Sequence, residues 1–140
     1  MKILHTSDLH IGRFLYEYDL IEMQKYVFQK LYDTIKENKI DVLVIAGDVY
    51  NRSIPASDAI SLLNKNLNKL IIELGIKIFM IYGNHDSAKR LSFGKELFCN
   101  SGLFISGEYN GDIEKITLTD EFGDISFFLI PYFVPAEARR

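Results

Sequence analysis

The chain has 140 residues, 48% hydrophobic and 25% charged, with a formal net charge of −3. That suffices for one apolar core but not two, and it excludes a protein that grips nucleic acid through overall positive charge, so any polyanion must be met by local basic patches. Its single cysteine, Cys99, excludes an intramolecular disulfide and a cysteine-built zinc cluster, and fits a reducing cytoplasm.

In chain order, Met1-Lys2 runs into a short buried strand, Ile3-Leu4-His5-Thr6, which stops at Ser7-Asp8 and is too short for the apolar stretch of a signal peptide. His5 within it is expected to be a packed or hydrogen-bonded structural residue. From about Asp19 to Asn38 the pattern turns helical, with Leu20, Met23, Val27, Leu31 and Ile35 at helical spacing, and Tyr16 and Tyr18 are expected to pack on that helix. Asp41 to Ala46 is a continuous apolar run ending in Gly47-Asp48, the pattern of a strand covered on both faces. Pro55 suits the first turn of a helix, and Ile60, Leu63, Leu67, Leu70, Ile71 and Leu74 form its stripe before Gly75 closes it. Ile76 to Tyr82 then predicts a third buried strand. The apolar stretch around it, Leu70 to Tyr82, is interrupted by Glu73, Gly75 and Lys77, so no membrane span is expected. Strand, helix, strand, helix, strand with short links predicts a parallel sheet with right-handed crossovers, an α/β fold.

Beyond Asp86 the pattern predicts a short helix around Ser92 to Cys99, with Cys99 a buried thiol, and a strand from Leu103 to Ser106. Ile113 to Thr119 and Asp124 to Phe133 then flank Asp120-Glu121-Phe122-Gly123 as a β-hairpin that opens a second sheet.

The chemistry sits where strands stop. Asp8-Leu9-His10 follows the first strand, Gly47-Asp48 the second and Gly83-Asn84-His85-Asp86 the third, and in a parallel sheet those ends lie side by side. Taken singly, each motif is ordinary: a surface pair, a turn, a cap. Three in succession at adjacent strand ends point to a metal centre. Asp8, His10, Asp48 and Asn84 would offer mixed oxygen and imidazole ligands, which suit manganese, iron or zinc better than calcium. Gly47 and Gly83 allow the tight turns and close backbone approach this needs.

These motifs in this order resemble the calcineurin-like metallophosphoesterases. The wording His5-Thr6-Ser7-Asp8-Leu9-His10-Ile11-Gly12, Ala46-Gly47-Asp48-Val49-Tyr50 and Ile130-Pro131-Tyr132 is similar to the SbcD branch, bacterial relatives of the Mre11 nucleases. The resemblance implies the αββα sandwich of that family, with residues 1–140 as the N-terminal part of one catalytic domain: the first β-α-β-α-β half and the start of the second sheet. It implies two divalent metal ions, Mn2+ foremost, with Asp48 bridging, Asp8 and His10 on the first ion and Asn84 on the second. His85 would face the scissile phosphate as the catalytic group, and Asp86 would hold the loop.

Asn51 and Arg52 occupy positions where related phosphatases often carry an aspartate that orients the histidine and an arginine that grips phosphate. The Asn51 amide would orient His85 without raising its basicity, and Arg52 is a candidate phosphate contact. Arg13 and Lys89-Arg90 follow the other motifs and would rim the same mouth, giving a local positive patch for DNA. The implied function is hydrolysis of phosphodiesters in DNA ends and hairpins by a cytoplasmic nuclease subunit partnered with a coiled-coil ATPase of the SbcC or Rad50 kind; a homodimer is left open. The rivals are a small-nucleotide phosphodiesterase and a non-catalytic module that docks DNA or the ATPase. The family completes its centre with histidines from downstream motifs, whereas the histidines here are His5, His10 and His85, so residues 1–140 alone are expected to be inactive.

Overall fold

A computed structural model describes residues 1–136, so the end of the expected unit at residues 1–140 lies outside the described residues. The elements are β1 (Ile3–Thr6), a small hairpin of β2 (Phe14–Leu15) and β3 (Tyr18–Asp19), α1 (Ile21–Asn38), β4 (Val42–Ala46), α2 (Ser57–Asn68) and β5 (Lys77–Ile81). Two short helices, α3 (Ala88–Leu91) and α4 (Lys95–Phe98), lead to β6 (Leu103–Ile105), and the chain continues into the hairpin β7 (Glu114–Asp120) and β8 (Gly123–Leu129).

Strands β1, β4, β5 and β6 lie side by side in that order, all parallel. Leu4, Leu43, Ile78 and Leu103 stand opposite one another in register, an aliphatic row across the sheet. Because side chains alternate along a strand, that row and the next row on its face meet one partner: Phe28 and Ile35 of α1 and Ala59, Leu62 and Leu63 of α2. The other face carries Val42 and Phe79. Phe79 stacks between Phe104 at 4.9 Å and Phe127 of β8 at 4.3 Å, with Leu129 buried beside them. Helices therefore cover one face and the hairpin begins a second layer on the other, the predicted α/β arrangement. Among the described residues no helix is long and apolar enough to cross a membrane.

The structure corrects several expectations. On α1, Met23 and Val27 are 67% and 56% exposed, and the inward series is Ile21, Gln24, Phe28, Leu31 and Ile35. Aligning the helix on Phe28 buries the larger side chain. On α2 Ile60 faces water, and the last turn widens into a π-helix, Lys69–Glu73, before Gly75 takes a φ of +69°. The β7–β8 loop is only Glu121-Phe122, because Asp120 pairs with Gly123 and accepts the Phe122 N–H at 2.8 Å. Cys99 is exposed on a 3-10 turn after α4 rather than buried. His5 is exposed too: it shares a face with Ile3 on the edge strand β1, beyond the cover the hairpin gives β4 and β5. Tyr16 and Tyr18 project from the β2–β3 hairpin and are solvent-exposed rather than packed on α1.

Candidate metal centre

The pairing of β1 with β4 does not stop where the strands do. The Asp8 N–H donates to the Gly47 carbonyl at 3.1 Å, the His10 N–H to Asp48 at 2.9 Å and the Ile11 N–H to Val49 at 2.9 Å. The Gly47 N–H donates in turn to Ile81 of β5 at 3.2 Å. This zipped backbone is held in a costly shape. Asp8, His10 and Asp48 have φ values of 55°, 43° and 48°, and they are three of the five non-glycine residues with positive φ among the described residues. Each such residue costs on the order of 1 kcal/mol or more, a strain that persists only where surrounding contacts over-determine it.

Asp48 lies at the centre and is nearly buried. Its Oδ1 accepts the His85 N–H at 3.0 Å, fixing the loop after β5 against the loop after β4. Gly83 makes room for this: a Cβ there would overlap Oδ1 and the main-chain N of Asp48 and come within 2.8 Å of its Cγ. Asp86 completes the tie. Its Oδ2 accepts the N–H groups of Val49 at 3.0 Å and Gly83 at 2.9 Å, and its Oδ1 that of Tyr50 at 2.8 Å. Burial, with the Asp86 charge second, pushes the Tyr50 phenol up to about 12.

On this frame His10 Nε2 stands 3.8 Å from Asp8 Oδ1 and 3.9 Å from Asp48 Oδ2. Those gaps are too long for hydrogen bonds. They match two ligand atoms of one cation, which at bond lengths of about 2.0–2.2 Å lie about 3–4 Å apart. The ring of His85 meets that of His10 edge-on, with centroids 4.8 Å apart, and one ligand atom from each of His10, Asp48 and His85 falls within 4.8 Å of the others. Among the described residues His10 Nδ1 is buried without a hydrogen-bond partner. The donor set fits a divalent transition ion. One ligand atom each of His10, Asp48 and His85 group together and the exposed Asp8 stands 3.8 Å from His10, whereas the family resemblance makes Asp8 a ligand and turns His85 to the substrate.

The remaining candidates are placed as follows. Asn84 is exposed and lines a cleft of about 450 Å³ with Gly83, Asp86, Tyr109 and Tyr132. Asn51 reaches His85 through its main-chain carbonyl, 3.1 Å from Nδ1, and not through its amide, so the missing aspartate at this position removes nothing from that contact. If Nδ1 donates, Nε2 of His85 is left free to face outward. Arg13 and Arg52 are exposed near the loops, while Arg90 lines a different cleft, with Tyr50, Ile60 and Phe93. The sequence reading missed Gln24, whose carboxamide bonds the main chain around His10. Its signal was that of a lone polar residue in the inward series of α1.

The fold and these three motifs define a calcineurin-like phosphoesterase: the model of that family matches residues 1–134, and the chain belongs to the family. Within the family its sequence is similar to an SbcD protein. It is 39% identical over 132 residues to the SbcD component of the SbcCD nuclease of Staphylococcus saprophyticus subsp. saprophyticus, a match that covers 94% of this chain and 34% of that protein. The chain thus spans about a third of that relative's length.

Proposed function

We propose that this chain supplies part of the active centre of a DNA nuclease subunit that hydrolyses phosphodiesters with two divalent ions, Mn2+ foremost. The observation that carries the reading is the convergence of His10, Asp48 and His85, from three separate strand ends, to within 4.8 Å. When bound, such ions would supply Lewis-acid charge and lower the pKa of a water so that it can serve as the nucleophile. The chain's own residues do the rest. Asp48, whose carboxylate can face two cations, would bridge; Asp8 and His10 would hold one ion and Asn84 the other. His85, held through Nδ1 by the Asn51 carbonyl, keeps Nε2 toward the phosphate, where it stabilises developing charge or protonates the leaving oxygen. Arg52 and Arg13 would meet flanking phosphates.

Asp8 is 65% exposed and His85 is exposed as well, so both can be reached by a phosphodiester. DNA ends and hairpins as substrate, an SbcC-type ATPase as partner and a cytoplasmic setting follow from the likeness to an SbcD protein. Asp8, His10, Asp48 and Asn84 are too few to hold two ions, so residues 1–140 alone should not cleave. The test compares residues 1–140 with the full-length protein on linear and hairpin DNA in Mn2+. Cleavage by the longer protein only is expected. Equal cleavage by both would overturn the ligand count, and preference for small nucleotides would favour the rival phosphodiesterase.

A further inference from the structure

We propose that Gln24 is a positioning residue for this centre: its carboxamide clamps the main chain of Leu9 to Gly12 and thereby sets where the His10 and Asp8 side chains stand. The inference rests on the reading of His10 and Asp8 as metal ligands. Gln24 sits in the first turns of α1, on the helix face turned to the sheet, among Ile21, Phe28, Leu31 and Ile35. A polar residue there needs partners, and it has them. Its Oε1 accepts the Gly12 N–H at 2.9 Å, and its Nε2 donates to the His10 carbonyl at 2.9 Å and to the Leu9 carbonyl at 3.3 Å. Both amide protons and the oxygen are thus spent on one loop.

That loop has reason to be clamped. Asp8 and His10 both have positive φ, so two strained non-glycine residues in one short turn would relax if released. Relaxation at His10 or Asp8 rotates the Cβ and swings the ligand atom away from Asp48. A glutamate keeps the acceptor for Gly12 but turns an oxygen on two carbonyls, and a methionine keeps the shape but makes none of the bonds. Partners that orient ligands without touching the ion are typically worth about 10- to 100-fold in metal affinity.

The test uses the full-length protein carrying Gln24→Met, Gln24→Glu or, as a control on the exposed side of α1, Gln29→Met. Mn2+ affinity is read from the spin-resonance signal of free Mn2+, and hydrogen exchange of the His10 and Gly12 amides is read in metal-free protein. Both Gln24 variants should bind Mn2+ about 10- to 100-fold more weakly and exchange faster at His10 and Gly12, with β4 and β5 unchanged and Gln29→Met like wild type. Unchanged affinity in Gln24→Met, or loss of protection throughout the fold in both Gln24 variants, would overturn the proposal. His10→Ala separates the two readings. If it weakens binding while Gln24→Met does not, only the positioning role fails; if His10→Ala itself binds normally, the ligand assignment fails.

Discussion

The β7–β8 hairpin and the loops at the carboxyl ends of β1, β4 and β5 solve the problem of holding a shape in opposite ways. The hairpin keeps an unbroken register from Glu114 opposite Leu129 to Asp120 opposite Gly123 and reaches the sheet chiefly through apolar side chains, Leu129, Phe127, Ile116 and Leu118. A polar tie closes its tip, where the Met1 amine meets Asp120 at 2.5 Å. The loops bury Ile11, Val49 and Tyr82, but their strained backbone is not held by that packing alone. They are fixed by directional bonds to main-chain N–H and C=O groups, with Asp86 alone accepting three. Apolar packing is tolerant of detail, whereas a cage of hydrogen bonds around strained residues leaves no room even for a methyl group.

Substitutions in the loops should therefore cost function out of proportion to their size. Short of Asp48 itself, the largest effect is expected at His85. His85→Asn in the full-length protein should lower turnover by about two to four orders of magnitude while Mn2+ still binds, since the role proposed for the lost group is to stabilise charge or move a proton. Loss of Mn2+ from this variant in a titration would instead put His85 among the ligands, as the distance grouping alone would have it. Gly83→Ala comes next. The added Cβ forces Asp48 aside, so we expect a stability loss of about 1–3 kcal/mol by urea denaturation, the scale of overpacking, together with weakened Mn2+ binding. Normal affinity in that variant would break the contrast between the loops and the hairpin.

The smallest effect belongs to the hairpin tip. The hydrogen bond from the Met1 amine holds the Asp120 carboxyl below its ordinary 3.8, and the same bond holds the amine above its ordinary 8.0. A lowered carboxylate contributes fully above 3.8 and loses its contribution as pH falls through the lower folded value; a raised amine contributes fully below 8.0 and loses it as pH rises through the higher one. The melting temperature of wild type minus that of Asp120→Asn should thus be largest between those limits and shrink at both extremes. A difference independent of pH would mean the tip contact contributes nothing.

The sheet and its polar strand ends were legible because buried parallel strands are continuous apolar runs and the residues after them stand out by contrast. Helix facing was less so: the series through Met23 and Val27 fits the period as well as the one through Phe28, and only packing chooses between them. His5 and Cys99 misled because burial depends on where the hairpin and α4 happen to reach, which local sequence does not encode. The β2–β3 strands, Phe14–Leu15 and Tyr18–Asp19, are too short to show a period. The Asn51 carbonyl was invisible for a deeper reason, since every residue carries one and only the fold decides which is aimed at His85. Gln24 could have been found by asking what a glutamine does on an inward helix face.

The central claim is that Asp48 joins two ions in one centre, and a Mn2+ titration of the full-length protein against its Asp48→Asn variant tests it most directly. The near-buried carboxylate, with Oδ2 turned toward His10 and Oδ1 tied to the His85 N–H, should give two sites in the wild type. The amide, lacking the charge that holds two cations together, should abolish the pair and with it DNA cleavage. Two sites of unchanged affinity in the variant would contradict the account.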